Sequence, residues 1–429
     1  MTYDYPSYYE KFHCVGGSCK DSCCIGWEVD IDEDTYDYYR SVEGPFGDRL
    51  RSHMKDDGSN RYFPMCEDGR CPFLNKSNLC DIIIELGEES LSLVCTEYPR
   101  YFLEEGSFEQ IDLSLSCMEL GRIFFSDPDP IEYIRGEVKE AQDDGAGPAD
   151  DGDEVFRAQD SVFSGILPQD ARLLHEILDI RDDCIGIMED RDLPLGSRFL
   201  EVFRLYGPAE WKARLDADRT ASFPGLFACI IDLDDLLGLM DRLEVLDGRW
   251  TDEMASVRSS LPGIVRIMRQ TENPEGNMSA EFSHFLPDVW FEKLGCYFLF
   301  RYVTDAYFSE KSGAAGPCPA QAEEPQAHNT PDIGSDKETE FCAGTAAPEA
   351  EGKAPQSTGA AESHPGVAAS VRLTARSIYF LYIMCLSRYL ERGSLSADDM
   401  IDLAHLYSKQ VEHSDDNVDM VKACAPVAS

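Results

Sequence analysis

Four thiols crowd into eleven residues, Cys14-Val-Gly-Gly-Ser-Cys19-Lys-Asp-Ser-Cys23-Cys24, and no other stretch restricts the fold so strongly. Sulfurs this close in sequence can converge on one point, and Gly16 and Gly17 let the backbone turn tightly around it. The stretch reads as one half of a metal or cluster site. Cys71, Cys80, Cys95 and Cys117, single cysteines on separate short elements, are the expected other half, with Cys66 as a spare. Nine of the sixteen cysteines fall before residue 118, which places the site in the N-terminal part of the chain.

Three readings of these thiols compete. Disulfides need an oxidising compartment, and the opening residues Met-Thr-Tyr-Asp-Tyr-Pro-Ser-Tyr-Tyr-Glu offer neither a basic nor an apolar leader segment. Disulfides are therefore the weakest reading, and a cytoplasmic location is expected. A structural zinc ion prefers two close pairs of ligands, whereas the gaps here are four, three and zero residues, then eight, fourteen and twenty-one. An iron–sulfur cluster tolerates wider and less regular spacing. Adjacent Cys23 and Cys24 do not easily share one small tetrahedral ion, so they suggest a larger cluster, or one ligand beside one buried thiol. Spacing alone leaves iron and zinc open.

The blocks Cys14-x4-Cys19-x3-Cys23-Cys24-Ile-Gly-Trp-Glu-Val-Asp-Ile-Asp, Gly69-Arg-Cys71-Pro-Phe-Leu, Leu79-Cys80, Glu85-Leu-Gly-Glu and Cys95-Thr-Glu-Tyr-Pro-Arg100 together resemble the flagellin lysine N-methylase family. That family sits within a wider group of cysteine-cluster proteins described as zinc- or iron-chelating. The match runs over roughly residues 8–125, with several blocks in the right order. The resemblance implies methyl transfer from S-adenosylmethionine to lysines of flagellin. It also implies an iron–sulfur cluster, 4Fe-4S in type, on Cys14, Cys19, Cys23, Cys24, Cys71, Cys80, Cys95 and Cys117. Which four of these bind iron stays open.

Composition narrows the classes of partner. With 38 Lys and Arg against 81 Asp and Glu the net charge is −43, the wrong sign for nucleic acid. An acidic face attracts lysine-bearing segments, and it equally serves as a solvated surface. No run of about 18 apolar residues is present, so no membrane span is expected. Gly-x-Gly-x-x-Gly after a strand, a Walker loop, the acidic-Gly-x-Gly block of ordinary methyltransferases and the Cys-x3-Cys-x2-Cys loop of radical enzymes are all absent.

The expected architecture is mainly α: a cysteine-cluster module with short strands over 1–125, a helix and acidic linker over 126–154, a helical bundle over 155–310, a disordered low-complexity insertion over 311–370, and C-terminal helices over 371–429 that dock on the bundle. Tyr3, Tyr5, Tyr8, Tyr9 and Phe12 should pack on the cysteine module. A strand is expected over 26–32 and another over Ile111–Cys117. Helices are expected over 33–42, from Asp48 to Met54, from Leu79 to Leu86 with Gly87 as C-cap, from Met118 to Phe125, and from Asp127 through about 140. Apolar positions three and four apart place bundle helices over 168–190, 196–215, 222–246, 251–270 and 280–309, then 371–391 and 396–411. The tail after Asp415 should fray.

A lysine ammonium becomes nucleophilic only after losing its proton, so a lysine methylase needs a carboxylate or phenolate close by. Glu97, Tyr98, Tyr101, Asp30 and Asp32 flank the cysteine blocks and are the candidates. Arg100, fixed after Pro99, could hold the carboxylate of S-adenosylmethionine as a bidentate fork or make a structural ion pair. His13 could ligate metal, whereas His175, His284 and His405 read as structural. The opposing reading is a zinc- or iron-binding protein with a helical interaction domain and no catalysis.

Overall fold

The computed structural model describes residues 2–58, 60–137, 165–217, 223–271, 286–313 and 364–424. The acidic linker around 143–154 and most of the insertion expected at 311–370 lie outside the described residues.

In chain order the elements are β1 (Thr2–Pro6), α1 (Tyr8–Lys11), β2 (Val29–Asp30), α2 (Glu33–Ser41), α3 (Gly44–His53), β3 (Lys55–Asp56), β4 (Arg61–Phe63), α4 (Asp81–Leu86), α5 (Leu93–Glu97), β5 (Arg100–Glu105), β6 (Phe108–Leu113), α6 (Met118–Ser126) and β7 (Tyr133–Glu137). There follow α7 (Pro168–Glu189), α8 (Leu195–Tyr206), α9 (Lys212–Ala217), α10 (Phe223–Ile230), α11 (Leu233–Met240), α12 (Arg249–Thr271), α13 (Asp288–Lys311), α14 (Pro365–Arg392), α15 (Ala397–Val411) and α16 (Asp415–Lys422). The chain is mainly helical with short strands.

Local chemistry explains most boundaries. Asp32 caps α2 by accepting from the Thr35 amide at 2.9 Å. Gly87, at φ +98°, ends α4 in a conformation that other residues rarely adopt. Ser396 and Asp399 form a reciprocal capping box at the start of α15. The helix expected over 196–215 breaks at Gly207-Pro208. The one expected over 222–246 breaks where Asp232 turns back to cap α11, accepting from the Asp234 and Asp235 amides.

Four expectations fail. The segment after Asp127 is not a helix but leads to β7, which pairs antiparallel with β1 along its full length. The N-terminal aromatic run forms β1 and α1, and Tyr8 and Phe12 enter the core of the large body rather than the cysteine module. The strand expected over Ile111–Cys117 lies earlier, at β6, because Ser114–Cys117 turns into α6. The tail after Asp415 forms α16, capped by Ser414 and anchored by fully buried Val421.

Two hydrophobic cores result. The larger joins the sheet β5-β6-β1-β7 to the helices, with α13 and α14 buried nearly all round at its centre. β6 runs parallel to β1, antiparallel to β5, and is buried at every position. Two of its polar residues bond internally, although one carboxylate oxygen of Asp112 finds no hydrogen-bond partner among the described residues. Gln110 accepts from Arg181 at 2.7 Å and from Thr304 at 2.6 Å, and Asp112 accepts from the Tyr8 hydroxyl at 2.6 Å. Arg181, 1% exposed, also donates to Asp4 at 2.6 Å. The smaller core holds only Val29, Ile31, Tyr39, Leu50, Phe63, Cys71, Phe73 and Ile82, around the sheet β2-β4-β3. Among the described residues no helix is long and apolar enough to cross a membrane.

Candidate metal centre

The eight cysteines singled out by spacing lie in loops and at helix ends around the smaller core and along its junction with the larger one. All eight are reduced, free thiols. They fall into two sets. Cys71 belongs to the small core, and Cys24, Cys80 and Cys95 pack against it. Backbone bonds hold this set together: the Cys71 amide donates to the Cys24 carbonyl at 2.8 Å, Ile25 bridges Arg70, and Leu74 bridges Cys80. Arg49 ties α3 to the same loop, donating to Asp81 at 2.8 Å and to the Pro72 carbonyl at 2.7 Å. Each of the four thiols lies within electrostatic reach of the other three.

Cys19 and Cys117 pack instead against the large core. Cys117 is the N-cap of α6, and its thiol senses Cys19 and Cys14. Cys14 is exposed, and its sulfur accepts from the Gly16 amide at 3.4 Å. The Cys19 thiol donates to the Asp21 carbonyl at 2.8 Å. Cys23 lies between the sets, sensing Cys14 on one side and Cys24 and Cys95 on the other. Its hydrogen bond with Cys24 pushes the Cys23 thiol up and draws Cys24 down to about 7. Burial raises Cys71 to about 12 and Cys95 and Cys117 to about 11. Cys66 is exposed in a turn.

A set of reduced, soft thiols suits an iron–sulfur cluster or zinc. Among the described residues no three His, Cys, Asp or Glu side chains close on one point tightly enough to grip a single ion as they stand.

The junction between module and body joins His405, read from sequence as structural, and Tyr98, an acid–base candidate, to Asp21, Lys409, Trp27 and His413, which the sequence reading passed over. Asp21 accepts from Arg249 at 2.8 Å and meets the Nε2 atom of His405 at 2.7 Å, with Lys409 at 3.8 Å. Lys409 also donates to the Ile25 carbonyl at 3.2 Å. His405 and Lys409 stand four apart on α15, a helical spacing visible in the sequence. Further along, Trp27 lies 5.8 Å from the Tyr98 ring and 5.6 Å from His413. The Tyr98 hydroxyl donates to the Ser116 carbonyl at 2.8 Å, and His413 contacts the Ser116 hydroxyl at 2.8 Å. Burial, aided by Lys409 and Arg301, lowers His413 to about 4, so the ring is neutral.

The acid–base candidates part company. Burial holds the Tyr98 phenol far above its usual range and pushes Tyr101 up to about 12, against the opposing charge of Arg301, which lies 4.4 Å over its ring. Both keep their protons at neutral pH. Asp32 is engaged by the Thr35 and Leu93 amides, each at 2.9 Å. Asp30 is exposed on β2, and Glu97, half-buried, ends α5 next to Tyr98. Arg100 lies over the Tyr9 and Phe12 rings, 5.8 Å from each, and among the described residues no carboxylate pairs with it.

A lysine-N-methylase of Salmonella typhimurium is 29% identical over 136 residues, covering 30% of this chain and 34% of its own length. Over this stretch the chain is similar to the lysine-N-methylases. A lysine-N-methylase of Salmonella choleraesuis matches equally well. The flagellar biosynthetic protein FliU of Salmonella muenchen is 28% identical over 138 residues, 80% of its length. The match thus spans about a third of the two methylases. No protein-family model and no solved structure matches the chain.

Proposed function

We propose that this chain is a protein-lysine N-methyltransferase that uses S-adenosylmethionine, acts on flagellin, and holds an iron–sulfur cluster on its cysteine module. The likeness to the Salmonella lysine-N-methylases is the observation that carries the reading. The name of the FliU relative supports a flagellar substrate.

In the transfer, the lone pair of the lysine amine attacks the sulfonium methyl, the S–CH3 bond breaks, and the sulfonium leaves as a neutral thioether. The amine must first give up a proton. Tyr98 and Tyr101 cannot take it, since burial keeps both protonated. That leaves Glu97 as the acceptor closest in the chain to Tyr98 and the Cys95 thiol, with exposed Asp30 as the other carboxylate. Tyr98 then acts as a fixed donor that orients. Arg100, with no carboxylate partner among the described residues, is suited to the cofactor's carboxylate. Four of the eight thiols would hold the cluster, which when bound would supply Lewis-acidic or redox-active iron. The acidic surface draws lysine-rich substrate toward the site.

The test is full-length protein, purified without oxygen and incubated with flagellin and methyl-labelled S-adenosylmethionine, read by mass spectrometry of flagellin lysines. Label on lysine supports the reading. Metal bound with no transfer overturns it in favour of a non-catalytic metal-binding protein. Replacing the base in Glu97→Gln should lower turnover by roughly 10²-fold or more, the usual scale of general base catalysis.

A further inference from the structure

We propose that the helical body carries a small-molecule site of its own, a cavity of about 500 Å³ that takes a ligand with a carboxylate or phosphate head and a body bearing hydroxyl or amino donors. None of its lining residues belongs to the cysteine module, so the inference goes beyond methyl transfer and stands apart from it.

The floor is a pair of arginines. Arg372 and Arg376 stand one helical turn apart on α14, and both line the cavity beside the C-terminal end of α16. The carbonyls left open at that helix end are met by one nitrogen of each side chain: Arg372 Nη1 donates to Lys422 at 2.9 Å, and Arg376 Nη1 donates to Val421 at 2.7 Å and Ala423 at 2.6 Å. Arg372 uses its second nitrogen on Glu210, at 2.7 Å. Arg376 has no such partner: among the described residues its Nε and Nη2 atoms make no hydrogen bond, and no carboxylate forms an ion pair with it. Helix capping therefore accounts for Nη1 and leaves over the Nε–Nη2 edge, whose two parallel N–H groups match a carboxylate or a phosphate.

The charge around this floor is unlike that of the chain as a whole. Acids outnumber bases 81 to 38 in the sequence, yet the cavity is lined by four arginines and four acids. Two of the acids are engaged, Glu210 with Arg372 and Asp232 with the Asp234 and Asp235 amides that it caps. Arg214 and Arg242, exposed at the rim, form no ion pair among the described residues. Burial, then the like charge of Arg372, draws the Arg376 guanidinium down to about 10, although Glu210 and Asp235 favour its charge. It stays cationic at neutral pH, and an anionic head would supply the compensation it lacks. The remaining walls ask for more than a bare ion. Trp211, Ile230, Leu239 and Met420 give an apolar side, and the exposed carboxylates of Asp234 and Asp235 can accept from hydroxyls or amines of a larger molecule. The volume falls within the range of sites that enclose such ligands.

The test is calorimetric titration of the full-length protein at physiological salt with adenosine monophosphate, S-adenosylhomocysteine and adenosine. The three share a donor-bearing body and differ in the head, which is a phosphate, a carboxylate or nothing. At least one headed ligand should bind, and adenosine should bind roughly 10-fold more weakly or worse. Arg376→Lys keeps the charge but loses the fork, and should weaken binding by roughly 10-fold. Arg242→Glu, at an exposed position that folding does not depend on, should weaken it by about 2–5-fold, and more at low salt. Circular dichroism checks that both variants fold. Binding of the phosphate-headed ligand alone supports a nucleotide site, and binding of the carboxylate-headed one alone supports a site for an amino-acid head. Adenosine bound as tightly as the headed ligands, or no binding of any of the three, overturns the assignment. Binding that survives Arg376→Lys and Arg242→Glu but is lost in Arg100→Gln belongs to the place given above to the methyl donor, and overturns this site while leaving the methylase reading intact.

Discussion

The cysteine module and the helical body solve the same problem with opposite means. The body buries a continuous apolar core and spends its polar residues on internal networks such as Asp4–Arg181–Gln110 and Glu292–Arg198. The module's core has eight buried apolar side chains, several two- and three-residue strands surround it, and thiols stand where a larger domain would place leucine. A body of this kind holds itself together by the hydrophobic effect, which needs no ligand. A module of this kind depends on tight turns and on whatever binds its sulfurs. Function is therefore expected where the second meets the first.

The sharpest way to break this comparison is the same truncation in each core. Phe199 is fully buried against Phe203, Phe223 and Phe227, and Gly295 approaches it so closely that an added Cβ would lie 2.9 Å from the ring. Phe199→Ala should cost about 3–5 kcal/mol and lower the main unfolding transition measured by circular dichroism in denaturant. Phe73→Ala, equally buried beside Phe63 and under Arg49, should leave that transition in place and release the module to protease. If Phe73→Ala drags the whole transition down as far as Phe199→Ala does, the two cores unfold as one and the contrast fails.

Somewhat smaller is the loss of a buried charge. Asp4 pairs with Arg181 at 2.6 Å and Arg135 at 2.8 Å, and these guanidiniums outweigh burial to hold its carboxyl below the ordinary range. Asp4→Ala leaves Arg181 buried with fewer partners. It should cost about 3 kcal/mol, the lower end for a broken buried pair, because Asp182 and Gln110 still accept from it. An unchanged melting temperature would show that the sheet does not need this pair.

Much of this was legible in the sequence, for identifiable reasons. Long helices such as α7, α12 and α15 announce themselves by apolar spacing over three or more turns, and the capping of α2 by Asp32 follows from residue type. The strands were harder. β1 is made of a Tyr-rich run that alternates weakly and finds its partners more than a hundred residues away, at β6 and β7. No local signal reports such pairing. The cysteines stood out by their crowding, but their division into two sets depends on which core each one packs against, which spacing does not encode. His413 and Asp21 were missed because each gains its meaning from a contact across nearly the whole chain.

The pH response separates the junction from both cores. Burial lowers His413 to about 4 in the folded protein, against about 6.5 for an unfolded histidine. Between these values the unfolded chain binds the extra proton, so stability falls as pH drops from 6.5 towards 4, by at most about 3 kcal/mol. His413→Gln, which keeps a hydrogen-bonding group for Ser116, should flatten that slope in denaturation curves taken across this range. An unaltered slope would place the titrating group elsewhere.

The smallest effect belongs to Asp21. Burial would raise its carboxyl, but the His405 hydrogen bond and the charges of Lys409 and Arg249 outweigh this and hold it well below the usual range. Its contribution is thus complete above the unfolded carboxylate value, about 3.9, and is lost as pH falls below it. Asp21→Asn keeps the shape and one acceptor but removes the charge, a change of about 1 kcal/mol when charge-assisted bonds become neutral ones. Because the bond fastens a loop rather than a core, the main transition should hardly move, while amide hydrogen exchange over 14–26 should quicken. If exchange there is unchanged, the stack of Trp27, Tyr98 and His413 is what closes the junction, and the loop bearing Cys14, Cys19 and Cys23 is held from its C-terminal side alone.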